Sequence, residues 1–213
     1  MTELLTTGPA QAASRLLLGL GAGAGMTSPW QNRFAGLLAE RGIAVVRFEF
    51  AYMHRRRCDG VRRPPPRAES LTAEYQAAID RMPPGGRLFI GGKSMGGRVA
   101  SLIAEDRYRQ GAIAGLVCLG YPFHSIKLPE RLRTAHLEPL TCPTLIVQGT
   151  RDPFGSRQEV ESYPIPPSIT LHWIADGDHD LRVRRVAGTP RRDPLCEAAD
   201  AVQHFMQAAH SAG

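Results

Sequence analysis

Gly91-Gly92-Lys93-Ser94-Met95-Gly96-Gly97 follows the apolar stretch Arg87-Leu88-Phe89-Ile90, and Val99 to Arg107 carries apolar residues at helical spacing. A buried strand that turns at once into a helix restricts the folds open to a chain. Glycines at 92 and 96 leave room where side chains would collide, and the sharp turn lifts Ser94 clear of the sheet. Met95 then opens the helix with an amide that no carbonyl of its own helix accepts. A serine hydroxyl held beside such a donor suits attack on an acyl carbon. Short glycine patterns also arise by chance, so the surroundings must agree. A phosphate-binding P-loop would need a glycine separated by four loop residues from Gly92-Lys93-Ser94. Position 87 is Arg and the intervening residues are the strand, which excludes it.

The apolar runs alternate with amphipathic stretches in the manner of a parallel sheet covered by helices. Strands are predicted at Leu16–Leu20, Ile43–Phe48, Leu88–Ile90, Ile113–Leu119, Thr144–Gln148 and Ile169–Ile174. Helices are predicted at Pro29–Arg41, Ala68–Arg81, Met95–Arg107, Ser156–Ser162 and Pro194–Ala209. Pro29 after Ser28 and Pro194 after Asp193 are proline first turns behind good caps. Two long connections remain, Glu49–Arg67 and Tyr121–Pro143. The expected fold is an α/β, doubly wound, mostly parallel sheet flanked by helices. With 213 residues and no linker or repeat, residues 1–213 read as a single domain with little or no cap.

In such sheets functional residues gather beyond the carboxyl ends of the strands. Partners of Ser94 should therefore follow later strands, acid first and histidine second. Asp152 lies after Thr144–Gln148 in Gly149-Thr150-Arg151-Asp152-Pro153-Phe154-Gly155. His179 lies after Ile169–Ile174 in Ala175-Asp176-Gly177-Asp178-His179-Asp180. Serine is a poor nucleophile until a neutral imidazole removes its proton, and a buried carboxylate fixes the useful tautomer. Of the seven histidines, His179 alone follows the final strand in a loop. Asp152 also fits a plain turn residue, and Asp178 is a second candidate for the acid. Asp176, Asp178 and Asp180 alternate as in a calcium loop, but the downstream glutamate is missing, so no metal is expected.

The second oxyanion donor should come from the loop after the first strand, Gly19-Leu20-Gly21-Ala22-Gly23-Ala24-Gly25-Met26. Ala22 is the first choice and Gly23 the second. The same glycines imitate a dinucleotide fingerprint, with Glu49 as a ribose ligand. Its helix would start near Ser28–Pro29, too far on to face a pyrophosphate, and Ser94, Asp152 and His179 would go unexplained. No cofactor is expected.

The net charge of +6 points to anionic partners, but many arginines fall in two segments, Arg55–Arg67 and Arg182–Arg192, without aromatic interleaving. No nucleic-acid motif accompanies them, so nucleic acid is not an expected partner. Arg55, Arg56 and Arg57 leave the second strand on the side of Ser94. They read either as a solvated charged loop or as a gate for carboxylate or phosphate groups. Tyr121, opening the second long connection, is assigned with them to the substrate side. Cys58, Cys118, Cys142 and Cys196 are widely spaced, as in a reduced cytoplasmic chain. Arg15–Leu20 resembles a signal core but lacks a basic flank, and no apolar run approaches the roughly 20 residues of a membrane helix.

Taken together, Gly21-Ala22-Gly23-Ala24, Met26-x-Ser28-Pro29-Trp30, Arg47-Phe48-Glu49-Phe50-Ala51-Tyr52-Met53, Gly91–Arg98, Gln148–Gly155 and Asp176–Asp180 resemble the KANSL3/Tex30-like branch of the α/β-hydrolase superfamily. The resemblance spans Leu16 to the final helix. It implies a small α/β-hydrolase with Ser94, Asp152 and His179 as its triad and an undefined natural substrate. Eukaryotic relatives include a subunit of a chromatin acetyltransferase complex, which implies a second option, an idle fold used for protein interaction. One departure stands out: such proteins usually carry His-Gly where this chain has Leu20-Gly21, and that histidine orders the oxyanion loop. The expected activity is cleavage of a small ester or thioester, with oligomeric state left open.

Overall fold

The computed structural model describes residues 3–23, 25–61, 64–184 and 192–211. Seven strands form one sheet: β1 (Leu4–Thr7), β2 (Ser14–Gly19), β3 (Ile43–Phe48), β4 (Arg87–Lys93), β5 (Gly115–Leu119), β6 (Thr144–Gly149) and β7 (Ile169–Ile174). Their spatial order is β1-β3-β2-β4-β5-β6-β7. Only β1 is antiparallel to its neighbour. The helices are α1 (Pro29–Glu40), α2 (Ala51–Asp59), α3 (Thr72–Asp80), α4 (Met95–Arg109), α5 (Arg157–Val160) and α6 (Pro194–Ser211), with a short 3-10 turn at Ala68–Leu71.

Side-chain alternation along the central strands divides the core into two layers. Leu16, Leu18, Val45, Phe89, Val117, Leu119, Leu145 and Val147 face α1 and α6, where Phe34, Leu38, Ala198 and Val202 close the layer. Leu17, Val46, Ile90, Leu116, Cys118 and Ile146 face the other way, under Tyr75 and Ile79 of α3 and Val99 and Ile103 of α4. Each large apolar side chain so enclosed stabilises the fold by about 1.5–3 kcal/mol. Because both faces are covered, these strands read as continuous apolar runs.

The sequence misses two elements. β1 is a short edge strand pairing Leu4 with Phe48, and four residues offer too little periodicity to announce it. α2 lies inside the expected connection 49–67. Its arginines are good helix formers, Gly60 closes it in the left-handed conformation, and only Tyr52 and Met53 are buried. β4 also runs through the glycines to Lys93, so the turn at Ser94 is sharper than the sequence suggests. A Cβ on Gly92 or Gly96 would overlap the Gly19 carbonyl, which is why strand β2 can lie flush against the start of α4. Tyr75, fully buried, takes the Gly91 amide on its hydroxyl (2.9 Å) and faces the Gly91 and Leu17 carbonyls at 2.6 and 2.9 Å. It stitches β2 to β4 beneath the turn. Among the described residues no cap domain is inserted, and no helix is long and apolar enough to cross a membrane.

Candidate active site

Ser94 adopts φ 50°, ψ −115°, a conformation that costs a non-glycine residue about 1–3 kcal/mol. The surroundings enforce it. The Ser94 amide donates to the Leu119 carbonyl at the end of β5 (2.9 Å), while its carbonyl accepts the Arg98 amide of α4 (3.0 Å). The hydroxyl is thereby carried above the sheet, and Met95 follows in the first turn with its amide beyond the reach of any preceding helical carbonyl.

Asp152 and His179 come from the loops after β6 and β7. The two loops interlock: the Arg151 amide donates to the Gly177 carbonyl (2.9 Å), and the Asp176 amide to the Thr150 hydroxyl (2.8 Å). A side chain on Gly149 would collide with the Gly177 and Asp178 carbonyls, so only glycine lets them approach. His179 Nδ1 lies 2.8 Å from Asp152 Oδ2, and its Nε2 lies 2.9 Å from Ser94 Oγ. An ionised carboxylate only accepts, so Nδ1 carries the proton and Nε2 presents its lone pair to the serine hydroxyl. Phe154 packs on the imidazole at 4.5 Å between centroids.

Asp152 is fully buried and fully engaged. Its Oδ1 accepts the Phe154 amide (2.9 Å), and its Oδ2 accepts from Gln148 Nε2 (2.9 Å) as well as His179. Gln148 in turn faces the Tyr121 and Gly155 carbonyls at 3.1 Å and accepts the Tyr121 amide at 2.7 Å. Nothing in the sequence pattern gave Gln148 this task; a buried glutamine at the end of an otherwise apolar strand was the available signal. Asp178 has no hydrogen bond to His179 among the described contacts. Its Oδ1 accepts the Asp180 and Arg182 amides and shapes the histidine loop. Asp176 pairs with Arg151 (2.7 Å) and with Arg184.

Lys93 is the other residue that sequence reasoning passed over. Only 8% exposed, its ammonium donates to Asp180 Oδ1 at 2.7 Å and to the His179 carbonyl at 3.1 Å. It also lies over the Trp30 ring, 5.5 Å from its centroid, and Trp30 Nε1 donates to the Asp180 carbonyl (3.0 Å). The histidine loop is therefore clamped from below by the residue next to Ser94 and from the side by α1.

The loop bearing Ala22 and Gly23 runs beside the turn, and a side chain on Gly21 would meet Ser94 Cβ at 3.5 Å. Leu20 is enclosed in the core. The far end of the loop is held by charge. Buried Glu49 accepts the Met26 amide (2.8 Å), and buried Arg47 donates to the Met26 carbonyl (2.7 Å), to Asn32 (2.7 Å) and to Thr7 (2.8 Å).

The arginines of α2 separate. Arg57 pairs with Glu49 (3.2 Å) and with Glu3 (3.8 Å), and Arg56 reaches the Ala22 carbonyl (3.4 Å). Arg55 lines a groove that also holds Glu3, Glu49 and Glu74, acidic company for an anion gate. The assignment of Tyr121 to the substrate side requires correction. Its side chain has no solvent exposure, and its hydroxyl donates to the Arg133 carbonyl (2.9 Å). Its ring packs edge-on against Phe123, and its backbone amide and carbonyl hold Gln148. Arg62, Arg63 and Ala24 lie outside the described residues.

A doubly wound sheet with a strand-turn-helix serine opposite a His–Asp pair is the architecture of the α/β hydrolases. Residues 12–207 match the family model described as alpha/beta hydrolase domain, and the chain belongs to that family. Among solved structures, the chain is similar to Est1E from Butyrivibrio proteoclasticus (TM-score 0.70, 14% identity, covering 99% of this chain and 95% of that one). It is similar also to dienelactone hydrolase from Anabaena variabilis (0.73, 19%, covering 97% and 91%). A third is a serine hydrolase without lid from Xanthomonas campestris (0.68, 18%, covering 97% and 88%). At these identities the likeness is one of fold.

Proposed function

We propose that this chain is a serine hydrolase of the KANSL3/Tex30-like branch, a single domain that cleaves a small ester or thioester through an acyl-enzyme. The observation that carries it is the hydrogen-bonded chain from Ser94 Oγ through His179 to Asp152. Ser94 Oγ attacks the acyl carbon while His179 Nε2 takes its proton. The imidazolium then protonates the departing alkoxide or thiolate as its bond to the acyl carbon breaks. Water, deprotonated by the same nitrogen, cleaves the acyl-enzyme and restores Ser94. Asp152 keeps the proton on Nδ1 and balances the imidazolium charge. The Met95 amide, with that of Ala22 or Gly23, receives the oxyanion; loss of one such donor costs about 10²–10³ in rate.

The chemistry uses side chains and backbone amides and calls for no metal or cofactor. A site without a cap suits short acyl groups. Four free cysteines, two of them buried, fit a reducing, cytoplasmic setting. The test is labelling by a fluorophosphonate and turnover of short p-nitrophenyl esters, with Ser94→Ala as control. Ser94-dependent labelling and turnover are expected. Absence of both would favour an interaction module that keeps the fold without the chemistry.

A further inference from the structure

One charged cluster at the same edge of the sheet has no part in that chemistry. Arg98 follows Ser94 by one turn of α4, a rise of about 6 Å, and helical side chains lean back towards the N-terminus. Its Nη2 pairs with Glu69 Oε1 (2.7 Å), while its Nε is enclosed without a hydrogen-bond partner. Glu69, in the turn that leads into α3, is itself 57% exposed. Arg133 stands opposite, its amide bound to the Phe123 carbonyl just beyond β5 (2.7 Å). Arg133 is in no direct ion pair among the described residues, and the Glu69 carboxylate acts on its charge from further off. Beneath them His136 Nε2 meets the Ser101 hydroxyl at 2.8 Å. Burial, reinforced by Arg98, pulls the His136 pKa down to about 4, so this imidazole adds no charge at neutral pH. The same two causes pull the Arg133 guanidinium down. Two half-enclosed guanidiniums thus share one exposed carboxylate and retain one positive charge.

Resting on the proposed hydrolase chemistry, we propose that Arg98 and Arg133 form a carboxylate subsite beside Ser94, and that the substrate is a half-ester or half-thioester of a short dicarboxylic acid. The free carboxylate rests on the guanidinium forks while the esterified carbonyl meets Ser94. One net positive charge matches a monoanion, and the one-turn spacing matches a chain of about two to four methylenes. The arginines of α2 are less suited, since Arg57 is already paired and Arg55 stands among carboxylates.

Binding is read in the Ser94→Ala protein, by calorimetry with monomethyl succinate and with its neutral counterpart, dimethyl succinate. The half-ester is expected to bind at least about 10-fold more tightly. Arg98→Gln and Arg133→Gln should each erase most of that preference and leave the diester unchanged, as expected for a charged hydrogen bond. Circular dichroism checks folding, and Arg133→Gln, which breaks no ion pair, decides the matter if Arg98→Gln fails to fold. Equal binding of half-ester and diester, or indifference to Arg133→Gln, would overturn the subsite. Tighter binding of methyl phosphate than of the half-ester would overturn the carboxylate assignment. Selective binding without turnover in the wild type sinks the hydrolase chemistry alone, and turnover without selectivity sinks the subsite alone.

Discussion

Replacing Lys93 by Met keeps the length of a nearly enclosed side chain and removes its charge. Three contacts disappear: the ion pair with Asp180 at 2.7 Å, the hydrogen bond to the His179 carbonyl at 3.1 Å and the placement over Trp30 at 5.5 Å. The bond to the carbonyl is worth about 1.5 kcal/mol in this enclosure. Asp180 is 41% exposed, so its pair with Lys93 contributes no more than about 1 kcal/mol after solvent screening. The ring adds about 0.5–1 kcal/mol. Relief from burying an ammonium offsets part of this, leaving a net loss of about 2 kcal/mol. For a chain of this length that lowers Tm by roughly 4–8 °C. The kinetic effect should be larger than the stability suggests, because the released carbonyl belongs to His179 itself. A shift of about 1 Å in a catalytic group costs about 10²-fold. Turnover of p-nitrophenyl acetate should therefore show kcat down 10- to 100-fold with KM little changed, and fluorophosphonate labelling slowed alike. A variant that loses thermal stability but keeps kcat within two-fold would refute the clamp, leaving Lys93 as an ordinary buried ion.

Three further substitutions probe other supports. Gly96→Ala drives a methyl group into the Gly19 carbonyl, and since neither backbone can retreat, urea unfolding should show a loss of at least about 3 kcal/mol; a loss under 1 kcal/mol would contradict the close approach. Gln148→Leu strips a donor from buried Asp152 and leaves the Tyr121 and Gly155 carbonyls unmatched, so about 2–4 kcal/mol of stability and most of kcat should go together in paired melting and turnover measurements. Glu105 of α4 accepts the Thr141 hydroxyl and amide, the Cys142 amide and Arg109. Burial alone would raise its pKa, but these donors outweigh it and hold the carboxyl at about 2. Its stabilising effect is then complete above its ordinary value of 4.5 and vanishes as the pH falls towards 2. Glu105→Gln should melt below the wild type at pH 7 and together with it near pH 2; a pH-independent gap would show that charge is not the cause.

What the sequence discloses follows periodicity. Strands β3, β5 and β6 carry the apolar runs Ile43–Val46, Leu116–Leu119 and Leu145–Val147 because both faces are covered, and α4 is legible because Val99, Ala100, Ile103 and Ala104 recur on one side. β1 pairs one edge of the sheet through four residues, and α2 buries only Tyr52 and Met53, so neither writes a period into the chain. Ser94, Asp152 and His179 could be placed by strand order because chain topology fixes which loops meet above the sheet. Lys93 and Gln148 could not. Each acts through a partner distant in sequence, and a lysine or glutamine at a strand end carries no mark of what it will touch.

The loop that follows β2 shows how far that limit reaches. Leu20 occupies the place where the resembling branch carries histidine, and from the sequence this reads only as a lost support. In the fold Leu20 joins the core, and the far end of the loop is fixed instead by Glu49 on the Met26 amide and Arg47 on the Met26 carbonyl. Both charges are almost wholly buried, which is tolerable only because their bonds to backbone and to Asn32, Thr7 and Arg57 replace lost hydration. Removing either side chain would take away the partner of one Met26 backbone group. Order in a loop of small residues, which cannot come from their own packing, is thus imposed from β3. Gly21 gives the loop its closeness to Ser94, while its far end at Met26 is tied by charges more than 20 residues further along the chain.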